Sequence, residues 1–361
     1  MQNCSYLSID LGAIEANLKI LQTKGVELMP MVKANAYGTH AIALTRFYEK
    51  RGIQIVGVSH VEEGICLRKA GIGLPVFVLS APPFEAARVA KWDLEPAVSS
   101  IEEIEALEHA ATAAKKKLHV HLHVNTGMNR FGTSAENFAP LLEMIKKATH
   151  LIYNGIMTHF AAADTPQFDD FSHKQIALFK EIVDAHTVLP RWIHMANSAG
   201  TLRFPLPFCN LARVGVALLG YGSDIRERGS FFPSLSLHSY IANIAACKKG
   251  DTIGYERAYK IEKESALVGI IPFGYHDGLH RCYSGSSHVL VKGERAPILG
   301  KICMDFLMID LTEIPNVKVG DPVEVFNASL RPETVAEWGN TDVRQLLACL
   351  GPRVQRRILK S

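Results

Sequence analysis

Lys33, the stretch from His123 to Arg130, His159, Asn197 with Ser198, and Arg213 all stand where short apolar runs of this chain end. Lys33 is the sharpest case: it follows VELMPMV and precedes ANAYG. At the mouth of a barrel such a lysine can be partly desolvated, which lowers its pKa and makes the amine nucleophilic. A lysine that forms a Schiff base needs this. The other residues of the set are cationic or hydrogen-bonding and would suit an anionic ligand. His119, His121 and His123 form H-x-H-x-H within one run. Strand alternation puts the three imidazoles on one face, an arrangement open to a zinc-dependent hydrolase. Against that reading, no carboxylate closes a neighbouring run, and His119 begins its own.

The elements that would position these residues follow from the apolar patterning. Strand-like runs occupy 26–33, 53–59, 75–80, 94–99, 117–125, 152–160, 192–198 and 210–219. Segments with helical periodicity lie between them, including 13–24, 40–52, 100–117 and 170–186. Strands joined in turn by helices are the repeating unit of a (β/α)8 barrel, whose active sites sit at the C-terminal ends of the strands. An open doubly wound sheet is the competing arrangement. After about residue 225 the helical patterns thin out. Short runs such as LHSYIANIA, ALVGIIPF, HVLVKG and DPVEVF are broken by Gly, Pro, Asp and Asn. The expected fold class is therefore α/β: a barrel over 1–225, then a mostly β domain over 226–361 with which the first few residues pair.

With 39 Lys and Arg against 36 Asp and Glu, the net charge of +3 gives no reason to expect nucleic acid or an anionic membrane as partner. No apolar run is long enough to span a bilayer. The opening MQNCSYLSIDLGAIEANL lacks the pattern of a secretory signal. The seven cysteines are odd in number, widely spaced and free of C-x-x-C, which predicts free thiols in the cytoplasm and neither a disulfide framework nor a thiolate metal site.

The segment MVKANAYG at 31–38 resembles the pyridoxal-phosphate (PLP) lysine signature of the alanine racemases. Other segments resemble blocks of the same family, in family order: LSIDLGAIEANL (7–18), NTGMNRFG (125–132), MTHFAAAD (157–164), HMANSAG (194–200), LARVGVALLG (211–220), GYERAY (254–259), IPFGYHDG (271–278), GKICMDFLMIDLT (300–312) and GPRV (351–354). The resemblance covers nearly the whole chain. It implies a fold-type III PLP enzyme: a barrel holding the cofactor, a β domain after it, and a head-to-tail homodimer that shares its active sites. It implies interconversion of L- and D-alanine, which in bacteria supplies cell-wall synthesis.

The resemblance also implies individual roles. Lys33 would bind the cofactor covalently and act as one acid/base. Tyr255, from the partner subunit, would be the other, assisted by His159. Arg213 would meet the pyridine nitrogen and His194 would orient it. Tyr37, Asn197, Ser198 and backbone N–H groups near Gly215 and Val216 would hold the phosphate. Arg130 would reach the cofactor's phenolic oxygen and help bind substrate. The backbone of Met304, beside Asp305, would meet the substrate carboxylate, and Tyr275 would line the access corridor. No metal is implied.

Three departures from the family pattern stand out. His123 stands where many members carry a carbamylated lysine that helps place the arginine matching Arg130. Arg344 stands where a tyrosine often reaches the phosphate; its guanidinium could pair with that group directly. Thr39-His40 replaces a common His-Gly. The first two leave a serine or broad-specificity racemase as the alternative on this scaffold. The related basic amino-acid decarboxylases are disfavoured by GYERAY and GKICMDF. A PLP-carrying homeostasis protein is disfavoured by the residues after 225.

Overall fold

The computed structural model describes residues 5–186, 188–222 and 231–359. The expected domain break near 225, and Cys4, lie outside the described residues. Two compact units emerge. Leu18–Leu218 forms one; the described residues up to Asn17, Leu219–Gly222 and the described residues from Phe231 onward form the other.

The strand β1 is Tyr6–Asp10. Eight strands follow in the first unit: β2 (Glu27–Pro30), β3 (Val56–His60), β4 (Val76–Ser80), β5 (Glu95–Val98), β6 (Leu118–His123), β7 (Leu151–Met157), β8 (Trp192–His194) and β9 (Leu211–Val214). Each coincides with one of the eight runs expected to be strands, β3 and β7 each overrunning theirs by one residue. β3 to β8 pair in parallel in chain order, and β2 pairs in parallel with β9. A bridge from Met31 to Gly57 ties β2 to β3. The N–H groups of Asn210 and Arg213 donate to the carbonyls of Ile193 and Ala196, which ties β9 to β8. The ring is closed, and the open-sheet alternative falls away.

Local chemistry explains the connecting helices. Ile101–Ala114 begins with Ser100, whose hydroxyl accepts from the Glu103 N–H while the Glu103 carboxylate accepts from the Ser100 N–H. Such a reciprocal cap stabilises a helix by about 1 kcal/mol. Ile104, Leu107 and Ala111 recur at helical spacing on its buried face. Inside the ring, Met29, Ile55, Phe77, Ala97, Met157, Trp192 and Leu211 form one packed cluster. Each large side chain so buried contributes about 1.5–3 kcal/mol. This rigid interior fixes the strand ends that carry the polar residues.

The second unit contains β10 (Leu235–Tyr240), β11 (Asn243–Lys248), β12 (Thr252–Ile253), β13 (Tyr259–Lys260), β14 (Ser265–Ile271), β15 (His288–Val291), β16 (Glu294–Leu299), β17 (Leu307–Asp310), β18 (Pro322–Phe326) and β19 (Gln355–Leu359). A nine-stranded sheet runs β11-β14-β17-β16-β15-β18-β10-β1-β19. β1 pairs antiparallel with β10 and parallel with β19. Burial alternates along β10, as expected of a sheet with one covered face. Helices Pro332–Trp338 and Val343–Ala348 also belong to this unit. Among the described residues no helix is long and apolar enough to cross a membrane.

Candidate active site

The expected strand over 26–33 stops at Pro30, because Lys33 opens a different structure. Ala34, Asn35, Ala36 and Tyr37 all have left-handed backbone angles, with φ between 49° and 58°. For L-residues this conformation costs roughly 1–2 kcal/mol per residue. Strain of this kind persists only where surrounding contacts over-determine it. The Glu63 carboxylate supplies some of them. It accepts from the Ala34 N–H at 2.6 Å and from the Ser59 and His60 N–H groups at 2.8 and 3.1 Å. Asn35 adds two more, accepting from the Ala41 N–H and donating to the Thr39 carbonyl. The turn sets Lys33, half-buried, at the mouth of the barrel.

Arg213, on β9, is buried. Its Nη1 donates to His194 Nδ1 at 2.7 Å and to the His194 carbonyl at 3.1 Å. Its Nη2 faces His159 Nδ1 at 2.7 Å and the carbonyls of Thr158 and Met195 at 2.8 and 3.3 Å. Guanidinium can only donate. Both imidazoles therefore accept on Nδ1 and carry their proton on Nε2. Four of the five N–H bonds of Arg213 are engaged; its Nε–H has no acceptor among the described residues. Burial pushes the Arg213 pKa down to about 10, so it stays charged at neutral pH.

The surroundings of this group are cationic. Burial pushes the His159 pKa well down, and the charges of Arg213, Arg130 and Lys33 push the same way. His123, also buried, is pushed down to about 3 by desolvation and then by Arg213 and Arg130. Three cations thus bear on His159. Arg130 itself is exposed, on a loop that Asn125 ties down by accepting from the Gly127 and Asn129 N–H groups. Gly132 closes that loop: a Cβ there would stand 2.6 Å from the Asn125 backbone nitrogen.

Tyr37, Ser198 and Gly215 come together in the same unit. A Cβ on Gly215 would lie 2.3 Å from the Tyr37 hydroxyl, so only glycine leaves room for the ring. The Ser198 hydroxyl accepts from the Gly215 and Ala217 N–H groups at 3.1 and 3.4 Å. Asn197 caps the helix Ser198–Arg203, its side chain accepting from the Gly200 N–H. Val216 begins the following turn. Hydroxyls and backbone N–H groups on glycine-opened backbone are a donor set for a phosphate.

The second unit carries the remaining candidates. Tyr255 opens a short turn and is 63% exposed. Tyr275 and Met304 lie on interlocked loops: the Tyr275 N–H donates to the Cys303 carbonyl and the His276 N–H to the Met304 carbonyl. A Cβ on Gly274 would meet the Met304 oxygen at 2.3 Å. Arg353 fastens both loops, donating to Asp277 through Nε and Nη2 at 2.9 Å each and to Asp305 through Nη1 at 2.7 Å. Arg344 donates to both oxygens of Asp342, at 2.7 and 2.9 Å.

Glu63, Asp277 and Arg353 were not singled out from the sequence. Only the GPRV block pointed near Arg353, and Glu63 lies in none of the segments the sequence brings forward. The H-x-H-x-H run does not assemble a metal centre. His119 and His121 lie against Glu95 at 3.4 and 3.3 Å, while His123 sits under the charges of Arg213 and Arg130. Among the described residues no group of three or more His, Cys, Asp or Glu is arranged to hold a metal ion.

Two family models match the chain: "Alanine racemase, N-terminal domain" over residues 9–223 and "Alanine racemase, C-terminal domain" over 234–358. The chain is 33% identical to the alanine racemase of Geobacter sulfurreducens, over 96% of this chain and 95% of that one. It is also 33% identical to the alanine racemase of Staphylococcus carnosus, over 98% and 94%. Among solved structures, the alanine racemase of D-cycloserine-producing Streptomyces lavendulae superposes with a TM-score of 0.94 at 26% identity, covering 100% of this chain and 98% of that chain. That of Bacillus anthracis with bound L-Ala-P gives 0.91 at 28% identity, covering 100% and 96%.

Proposed function

The chain belongs to the alanine racemase family and interconverts L- and D-alanine, and from that premise we propose that it does so with PLP held on Lys33 and with Tyr255 of the partner subunit as the second acid/base. One observation carries the cofactor reading. Arg213 is a buried guanidinium whose Nε–H has no acceptor among the described residues, and it stands among Lys33, Arg130 and His159. That donor set fits a planar, anionic, nitrogen-containing group.

When bound, PLP would hold the amino group of alanine covalently and take up the electron density released at Cα. Lys33 is the attachment point, and its amine then moves a proton at one face of Cα. Tyr255 moves a proton at the other face. Arg213 meets the pyridine nitrogen as a donor only, because guanidinium stays protonated at any working pH. It would therefore leave that nitrogen without a proton, which would favour prompt return of a proton to Cα. His159, with its proton fixed on Nε2, donates to the Tyr255 oxygen and stabilises its ionised form. Tyr37, Asn197, Ser198 and the N–H groups of Gly215 and Val216 hold the phosphate. Arg344 joins them only by exchanging Asp342 for it. Arg130 meets the phenolic oxygen, with His123 beneath it as a neutral imidazole in place of the family's charged side chain. The Met304 N–H receives the substrate carboxylate, and Tyr275 lines the way in.

Because Tyr255 comes from a second copy, the working unit is a homodimer. The described cysteines are free thiols, which fits a cytoplasmic enzyme. The test is chiral analysis of L-Ala, L-Ser, L-Lys and L-Arg after incubation with PLP-loaded protein. D-alanine should dominate, and Lys33→Ala should be silent. PLP-loaded protein that leaves L-alanine unchanged sinks the reading.

A further inference from the structure

We propose that Glu95 acts as a positioning residue for Arg213 through a one-way chain of hydrogen bonds that crosses the barrel interior by way of His121 and His194. Its catalytic consequence rests on the placement of Arg213 against the cofactor given above; the chain itself does not.

The direction of the chain is forced. Arg213 donates to His194 Nδ1 at 2.7 Å. His194 must then carry its proton on Nε2, which lies 2.9 Å from His121 Nδ1. His121 accepts there, so its own proton is on Nε2, 3.3 Å from Glu95 Oε2. An ionised carboxylate only accepts, so the chain ends at Glu95. Asn154 Nδ2 also donates to Glu95 Oε2 at 2.9 Å, and His119 lies 3.4 Å from Oε1. No other assignment satisfies every atom.

The surrounding strands are shaped for the chain. Along β6 and β7, Val120 pairs with Tyr153 but His121 pairs with Gly155, so Asn154 is the extra residue of a β-bulge. Bulges re-aim side chains next to active sites, and here Asn154 meets Glu95. A Cβ on Gly155 would lie 2.1 Å from His121 Nδ1, so glycine makes the space for that ring. Phe77 packs against both rings, with centroids 5.0 Å from His121 and 5.6 Å from His194. His121 and His194 are fully buried, and Glu95 is 8% exposed.

The chain addresses a specific difficulty. Arg213 is a buried cation whose acceptors are two imidazoles and three carbonyls; none is a carboxylate among the described residues. A buried charge without compensation is strongly unfavourable. Burial raises the Glu95 carboxyl, but the bonds from His119 and His121 outweigh it and hold it at about 2. Its negative charge polarises His121, then His194, and makes His194 Nδ1 a stronger acceptor. The guanidinium is held in one orientation, with Nε–H left for the ligand.

The experiment is nitrogen NMR of the [15N]histidine-labelled holoenzyme, with Glu95→Gln as the variant. In the wild type, His121 and His194 should both show a bare Nδ1 and a protonated Nε2. Either ring protonated on Nδ1, or doubly protonated at neutral pH, overturns the chain. Glu95→Gln keeps the shape and removes the charge. It should shift the His194 Nδ1 resonance and lower kcat about 10-fold with KM within about twofold, as loss of a supporting partner does elsewhere. Asn154→Ala, which removes one bond to Glu95, should move both readouts the same way by less. An unchanged His194 resonance and kcat in folded Glu95→Gln overturns the proposal; if that variant does not fold, the wild-type spectra still decide. Failure of the wild type to racemise alanine would strike the functional reading while leaving the imidazole spectra to judge the chain.

Discussion

Arg213 Nη2 and His159 Nδ1 meet at 2.7 Å, and the contact fixes the proton of His159 on the opposite ring nitrogen. Lysine at position 213 would keep a positive charge but lose the planar fork that serves His159, His194 and a ligand at once. Arg213→Lys should lower kcat by about 100-fold or more, the usual scale for a lost preorganised donor. Steady-state kinetics with PLP content measured in parallel checks this. A variant that retains PLP and full kcat would refute the role.

Tyr255 should be separable from cofactor binding. Tyr255→Phe should retain PLP yet lose about 100-fold or more in kcat, the range of a missing acid/base. Mixing it with Lys33→Ala should recover part of the activity if subunits exchange. Proven exchange without recovery would count against a shared site.

The strained turn at Lys33 depends on Glu63, which accepts three backbone N–H groups. Glu63→Ala leaves those donors without their acceptor. It should destabilise the protein by about 1–3 kcal/mol and weaken PLP retention. Urea denaturation with and without added PLP measures both. Loss of stability with PLP binding intact would separate the cap from the site.

Acid sensitivity should come largely from buried imidazoles. The folded state holds His123 at about 3, against 6.5 for a free imidazole, because burial and then Arg213 and Arg130 oppose its protonation. Below pH 6.5 the unfolded chain binds a proton that the folded chain refuses, so stability falls as pH drops, and the contribution is gone below about pH 3. His159 and His194, both pushed down by burial, act in the same direction from 6.5 downward. His123→Gln should flatten the dependence of the urea midpoint on pH between 6.5 and 4. An unchanged slope would show that His123 is not buried neutral.

Gly215 offers a steric test. Gly215→Ala pushes against the Tyr37 ring and narrows the space beside Ser198. PLP affinity should fall by more than thermal stability does, because the clash lies with the far end of one side chain. Equilibrium dialysis against PLP, set beside a melting curve, distinguishes the two.

Much of this was readable in the chain because it was local. Eight apolar runs with period and length to match became the eight barrel strands. The helical period over 100–117 became the helix Ile101–Ala114. Lys33, His159 and Arg213 could be picked out as polar residues closing apolar runs. The left-handed turn after Lys33 was not readable: Ala34, Asn35 and Ala36 have no aversion to a right-handed helix or an extended strand, and it is held by Glu63, distant in sequence. The role of Arg353 was hidden for the same reason, since its carboxylates come from two other loops. The three histidines of β6 suggested a shared ligand. His119 and His121 instead meet Glu95 and His194 on other strands, His123 faces the charges of Arg213 and Arg130, and a one-residue bulge in β7 helps to shape the surroundings of His121.

The pairing of β1 with β19 has a consequence for how the protein is made. Tyr6 leaves the ribosome long before its parallel neighbour, Gln355. Leu18–Leu218 lies entirely between them and can collapse around its own interior while translation continues. The nine-stranded sheet cannot: one edge of β1 stays unpaired until β19 has been synthesised. Contacts of such long sequence separation form slowly. β1 is therefore a waiting edge during synthesis, and β19 closes the sheet.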